Sequence, residues 1–219
     1  MKKRNATLTK PRPTLTRERI IEAGLHVMDA EGVDAVSMRR VAREVGVEAM
    51  SLYNHVRDKE DLLDGMVEMI MASMPEPEEP IDGDGFAYGR QLAMSWRAML
   101  KSHPGAIQLL AERKAPISTL EALRPADRAL GALMRAGLSP EDAVQAFHTM
   151  GGYIFGYVMM ETGQLFGDKP GHDVPPDAAA LLPNLAVTAP FLHDCDFDAQ
   201  FTFGLDLMLE GLRAKVAAS

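Results

Sequence analysis

The chain has 219 residues, 47% of them hydrophobic and 25% charged, and a formal net charge of −8, the ordinary balance of a soluble globular protein. No run approaches the roughly 18 to 20 uncharged apolar residues that a membrane-spanning helix requires. Cys195 is the only cysteine, which excludes an intrachain disulfide and a cysteine-rich zinc site and fits a reducing, cytoplasmic setting. Charge is unevenly spread: residues 1–60 carry 12 Lys and Arg against 9 Asp and Glu, and the remainder 11 against 22. A basic end on an acidic body is the asymmetry expected of a chain that meets nucleic acid with one end.

Residues 1–15 hold Lys2, Lys3, Arg4, Lys10 and Arg12 with two prolines and read as a disordered basic arm. It is either a solvated tail or an arm that touches phosphates or the minor groove. It lacks the apolar stretch of a secretory signal. A first helix is predicted from Thr16 as N-cap to Glu31, with Ile20, Ile21, Leu25, Val27 and Met28 on its buried side and Gly32 as its stop.

Ser37 then caps a second helix whose apolar stripe is Val41, Ala42 and Val45. Gly46 ends it, and a third helix is predicted from Glu48 to His55, with Val47, Leu52 and Val56 facing back. Helix, short glycine turn and crossing helix make a helix-turn-helix, whose second helix fits the DNA major groove. The same spacing also occurs in ordinary helical bundles. The positions left for DNA are Ser37, Arg39, Glu48, Ala49, Met50, Ser51, Tyr53, His55 and Lys59. Small residues allow close approach, hydroxyls and imidazole can bond phosphates or base edges, and cations pair with phosphates. Asp58 is a natural N-cap for a fourth helix, through Leu62, Leu63, Met66, Met69 and Ile70 to about Met74.

Residues 75–85, rich in proline, glycine and acids, form a linker that can neither continue a helix nor build a core. A fifth helix spans 86–102, and Pro104 sits where the first residue of a short sixth would lie. The seventh ends near Ala136, and Pro125 either begins or kinks it. The eighth opens on Ser139, Pro140, Glu141 and Asp142, a cap, a proline and two acids that suit the helix dipole, and runs to about Thr162. Its paired Gly151 and Gly152 cost about 1 kcal/mol each relative to alanine; close packing or room for a ligand would explain them. A loop over 163–182 precedes a short ninth helix from Pro183 to about His193, and the last runs from Asp196 or Asp198 to Lys215. The fold class predicted is all-α, with an N-terminal three-helix DNA-binding domain (16–74, including the connecting fourth helix) and a larger helical ligand-binding and dimerisation domain (86–219).

The runs TRERIIEAGLHVMDAEG, SMRRVAREVGV and SLYNHVRDKEDLL resemble the DNA-binding domain of the tetracycline-repressor (TetR) family of bacterial transcription regulators. The last follows that family's LY-x-H-V/F-x-x-K-x-x-L pattern. SHPGA at Ser102, LSPEDAV at Leu138 and FTFGLDLMLEGL near the end resemble the C-terminal domain of the tetracycline repressor's own subgroup. The resemblance implies a homodimer in which helices near 140–162 and 198–215 form a four-helix bundle with their copies, and a palindromic DNA operator as partner. Tyr153, Phe155, Tyr157, Met159 and Met160 make the eighth helix apolar on more than one face, which demands burial. Leu205 and Tyr157 are expected at that interface.

The resemblance fails where the subgroup holds its magnesium–tetracycline complex. The metal-bound histidine aligns with Leu109, a polar drug contact with Leu92, and a fourth-helix histidine near Pro75. A different, more apolar small-molecule effector is expected, with candidate contacts Trp96, Met99, Leu109, Arg113, Met134, His148, Gly152 and Phe155. Trp96 and His148 stand out because a buried indole N–H or imidazole needs a polar partner. Glu161 reads as a solvated helix-end charge. The six histidines (26, 55, 103, 148, 172, 193) show no metal-ligand spacing, so neither metal nor other cofactor is expected. No phosphate loop, nucleophile elbow or paired carboxylates support an enzyme. The reading is a repressor released from its operator by a ligand; the alternatives are an activator or a ligand-independent DNA-binding protein.

Overall fold

The computed structural model describes residues 14–78, 83–112, 117, 119–165, 181–192 and 196–218. All regular structure among these is helical. The chain divides into two compact units, the first ending at Met66 and the second beginning at Val67.

In the first unit, α1 spans Arg17–Glu31. Thr16 Oγ1 accepts from the Arg19 N–H at 3.2 Å, and Gly32, at φ 87°, donates to the Met28 carbonyl. Ile20, Ile21, Leu25, Val27 and Met28 are buried, as their spacing requires. A short 3-10 turn, Val33–Ala35, leads to α2, Met38–Val45. Ser37 caps α2 through Oγ, and Gly46 closes it at φ 79°, a left-handed conformation open to glycine without steric penalty.

The following helix, α3, covers only Ala49–Leu52, shorter than the predicted Glu48 to His55. Beyond Leu52 the chain turns, with the His55 and Val56 N–H groups both bonding the Leu52 carbonyl. The Arg17 guanidinium donates to the His55 carbonyl, and the Asp61 carboxylate accepts from the Arg57 N–H. Asp58 then caps α4, Lys59–Ala72. A Cβ on Gly65 would lie 2.5 Å from the Ile21 Cδ1, so glycine is what lets α4 approach α1 here. The crossing is fastened by a two-pronged bond from Arg17 to Asp61, 2.9 Å on each oxygen.

In the second unit the helices are α5 (Gly85–Ser102), α6 (Ala106–Glu112), α7 (Leu120–Arg135), α8 (Pro140–Glu161), α9 (Pro183–Leu192) and α10 (Phe197–Ala217). Met74, Tyr88, Leu92 and Ala132 form a core where α5 meets α7. Asp84 caps α5, accepting from the Phe86 and Ala87 N–H groups, and its second oxygen takes Arg213 from the end of α10 at 2.9 Å. Ser139 caps α8 with Pro140 in its first turn, and Asp196 caps α10.

The start of α6 differs from the sequence reading, and that of α7 is decided. Pro104 is not the first residue of α6: the Ala106 N–H bonds to the His103 carbonyl in a turn, and the helix begins after it. Of the two places left open for Pro125, the structure has the interior one: α7 begins at Leu120, five residues before it. On α10 the buried stripe is Phe201, Leu205 and Leu209, while Phe203 and Leu207 are 67% and 53% exposed. Leu205, expected at a subunit interface, is fully buried within the chain.

Arg17 holds the Asp61 carboxyl down to about 2, chiefly through its hydrogen bond. A carboxylate whose folded pKa is depressed adds stability above its unfolded pKa and loses it in acid. Asp61→Asn should therefore lower the unfolding free energy by about 2 kcal/mol near neutrality. The deficit should be constant above about pH 5 and vanish toward pH 2; urea titrations of both proteins across that range check it.

Candidate DNA interface and ligand cavity

The helix-turn-helix presents its candidate side chains on one unit. Ser37, Arg39, Glu48, Met50, Tyr53, His55 and Lys59 are exposed, and Ala49 and Ser51 half-buried. Met50 is 74% exposed on α3, while Leu52 behind it is fully buried. The short α3 thus anchors through Leu52, with Val56 buried in the turn beyond it, and leaves Met50 bare on the other side. Ser37 is committed to capping α2. Arg40 is held by Glu31 at 2.6 Å and Glu44 at 2.7 Å, which raises its pKa further through those hydrogen bonds. Its neighbour Arg39 has no ion-pair partner among the described residues. The tail of the basic arm, residues 1–13, lies outside the described residues, as does Arg113.

The second unit contains a small apolar cavity of about 30 Å³ that opens to the surface. Three helices wall it, each with one face. From α5 come Gly89, Leu92, Ala93 and Trp96; from α7, Pro125, Ala129 and Leu133; from α8, Phe147, Met150, Gly151 and Ile154; Met74 completes it. Offsets of three and four residues put each group on one side of its helix. The Trp96 ring meets Phe147 at 6.0 Å between centroids and Phe155, edge on, at 5.7 Å. The Trp96 Nε1 is buried and has no hydrogen-bond partner among the described residues.

Of the candidates proposed from sequence, Trp96 lines this cavity and Phe155 touches its ring. Met99 and Leu109 are buried in the core without lining it. Met134, His148 and Gly152 are exposed. Four candidates are each one residue past a lining residue: Met134 after Leu133, His148 after Phe147, Gly152 after Gly151, Phe155 after Ile154. One residue is about 100° of helix, which turns a side chain off the wall. The signal that finds the wall is the spacing Gly89, Leu92, Ala93, Trp96 repeated as Phe147, Met150, Gly151, Ile154. A Cβ on Gly151 would meet nothing within 4 Å, so the glycine opens onto free space.

Glu161 is not a solvated helix-end charge. Its side chain is 9% exposed and bonds the Arg97 guanidinium, itself 4% exposed, at 2.8 Å and 3.0 Å, with Lys101 on its other side. Arg97 also pairs with Asp198 at 2.7 Å and lies 4.6 Å over the Phe201 ring. The hydrogen bond from Arg97 is the main cause that lowers the Asp198 pKa. One guanidinium thus joins α5, α8 and α10, a structural role that the sequence reading missed. Among the described residues no three His, Cys, Asp or Glu side chains gather as a metal site, and no helix is long and apolar enough to cross a membrane.

Comparison with known proteins agrees with this architecture. Residues 20–66 match the family described as bacterial regulatory proteins, tetR family, and residues 77–216 the tetracyclin repressor-like C-terminal domain. The HTH-type transcriptional repressor DrrR1 of Streptomyces coeruleorubidus is 32% identical over 94% of this chain and 80% of its own. The class A tetracycline repressor from transposon 1721 of Escherichia coli is 30% identical over 88% of each. The crystal structure of ActR, a TetR family protein of Streptomyces coelicolor in complex with (S)-DNPA, superposes with a TM-score of 0.76. It is 28% identical, over 92% of this chain and 98% of that one.

Removing one partner of a buried ion pair strands the other charge. Glu161→Gln should lower the unfolding free energy by about 3 kcal/mol, whereas Asp206→Asn, in a half-exposed pair with Arg90, should cost under about 1 kcal/mol. Equal effects of the two in urea melts would show that the Arg97 cluster is not a structural clamp.

Proposed function

The chain belongs to the tetR family of bacterial regulatory proteins and is a ligand-responsive, DNA-binding transcriptional regulator; we propose that it is a repressor that reads a palindromic operator as a homodimer and is released by a small, largely apolar effector. The observation that carries the effector's chemistry is the cavity wall, whose lining side chains are all aliphatic, aromatic, proline, glycine or methionine. ActR, similar across nearly its whole length, has been crystallised with small molecules. That a ligand of this chain occupies the corresponding unit is consistent with the opening at Gly151.

For the reading head, we assign Tyr53, His55 and Lys59 to phosphates and Arg39, Ala49 and Met50 to base edges. Ser37, Glu48 and Ser51 flank them. Replacing Tyr53 or Lys59 with alanine should weaken binding to every duplex alike and, for Lys59→Ala, reduce the salt slope by about 0.9. Met50→Ala should instead change which base pair is preferred in duplexes selected from a random pool. Equal operator affinity for Tyr53→Ala and the parent counts against this docking.

For assembly, the exposed Phe203 and Leu207 on α10 support an interface of α8 and α10 with their copies. A groove between these helices is walled by Ala146, Thr149, Met150, Met208, Gly211 and Leu212, with Asp142, Gln145 and Lys215 also lining it. A two-fold pair would set two α3 helices about one turn of DNA apart, roughly 34–36 Å. Phe203→Glu should give a monomer in sedimentation with unchanged helical circular dichroism; Leu205→Glu should unfold the chain instead, because Leu205 is internal. A Phe203→Glu dimer overturns this interface.

For switching, the effector must bind the DNA-incompetent state more tightly; moving a 1:99 population to 99:1 takes about 5.5 kcal/mol of differential affinity. Operator must weaken effector binding by the same factor. Because Gly151 rather than Gly152 faces the cavity, Gly151→Leu should fill it. The variant should bind operator like the parent yet stay bound when an effector that releases the parent is added. Release of both alike would place the effector elsewhere.

A further inference from the structure

We infer that Met50 is an oxidant-sensitive switch in the reading head: a hydroperoxide converts its thioether to the sulfoxide, and the oxidised protein lets go of its operator without any effector. The inference rests on the docking in which Met50 meets base edges. Exposure singles the residue out. In the first unit the large hydrophobic side chains exposed among the described residues are Met50, at 74%, and Tyr53. Met28, Met38 and Met66 of the same unit are all buried. The one other exposed methionine among the described residues is Met134 on α7, in the second unit. Two residues are about 200° of helix, so the buried Leu52 that anchors α3 turns Met50 to solvent. A peroxide therefore reaches the sulfur that faces DNA before it reaches the buried ones.

With hydrogen peroxide the oxidant alone balances the reaction. A sulfur lone pair attacks one peroxide oxygen, so that an S–O bond forms and the O–O bond breaks. The departing hydroxide takes the proton of the transferred oxygen and leaves as water. Sulfur gives up two electrons and the peroxide gains them. A flexible apolar side chain has then become a polar one. The thioether suits an apolar contact, such as the C5-methyl of thymine, whose edge otherwise offers only the O4 acceptor. The sulfoxide oxygen is itself an acceptor and finds no donor on that edge. The Glu48 carboxylate, exposed at the start of α3 and not spent on capping it, adds a further acceptor beside it. A polar group buried without a partner opposes binding. Leucine, close to methionine in volume, would make the same contact with nothing to oxidise.

Parent and Met50→Leu are treated with hydrogen peroxide, then with dithiothreitol to return oxidised Cys195 to the thiol. Sulfoxide at each methionine is read by peptide mass spectrometry. Affinity is read by fluorescence anisotropy on a duplex that each protein selects from a random pool. Met50 should be oxidised before Met134 and the buried methionines, and the parent's affinity should fall about tenfold as its sulfoxide accumulates. Methionine sulfoxide reductase should restore it. Met50→Leu, which keeps Cys195 and every other methionine, should hold the affinity it had before treatment. Parent already bound to its duplex should keep Met50 largely unoxidised. A Met50 sulfoxide that binds as the thioether does, in a protein whose duplex shields the residue, overturns the switch and leaves the docking standing. Oxidation of Met50 at the same rate with and without the duplex overturns the docking and the switch with it. Equal losses in parent and Met50→Leu overturn the switch, because another group then carries the effect.

Discussion

A guanidinium that is only 4% exposed must be surrounded by charge it can neutralise, and the position of Arg97 follows from that demand. It sits on α5, takes Glu161 from the last turn of α8 and Asp198 from the first turn of α10, and rests on the Phe201 ring. Three helices distant in sequence are therefore set against one another by a single side chain. The residue before it, Trp96, points its ring at Phe147 and Phe155 of α8. Because the two are consecutive on one helix, the clamp that fixes the relation of α5 to α8 also fixes the spacing of the cavity wall. The charged clamp and the apolar cavity wall are thus neighbours on one helix.

The parts of the fold that were legible in the sequence are those determined locally. Thr16, Ser37, Ser139 and Asp196 cap the helices they precede, and Gly32 and Gly46 stop the helices they follow, because a cap is a contact over two to four residues. The apolar stripe of α1 was equally plain, since its other face is polar. On α8 the same method lost its phase. A helix with apolar residues on several sides does not say which of them faces inward, so His148, Gly152 and Phe155 were chosen one step past the wall. Glu161 was misread for a different reason: its partner Arg97 is 64 residues away, and no local pattern marks a charge that distance will bury. The shortness of α3 was not legible either: the His55 and Val56 N–H groups both close on the Leu52 carbonyl, and the helix goes no further.

The departures from the tetracycline repressor's subgroup acquire a physical sense. Leu92, where a polar drug contact aligns, is part of the apolar wall, and Leu109, where a metal-bound histidine aligns, is packed in the core. Both leucines are buried. Where the resemblance implies polar chemistry this chain has apolar packing, while the helix-turn-helix keeps its own caps and its own core.

The bond between Asp84 and Arg213 spans 129 residues, and it carries a consequence for how the chain is made. Synthesis proceeds from the N-terminus at roughly 5–20 residues per second, and domains tend to fold as units as they emerge. Within the first unit, the bond from Arg17 to Asp61 can form once the start of α4 is out. The second cannot secure the start of α5 until the last turns of α10 have left the ribosome, and α8 lacks the α10 partner of Tyr153 until then. For several seconds of translation the apolar faces of α5, α7 and α8 wait without the helix that closes them, so the rate of elongation over that stretch governs how long the nascent chain is exposed to aggregation.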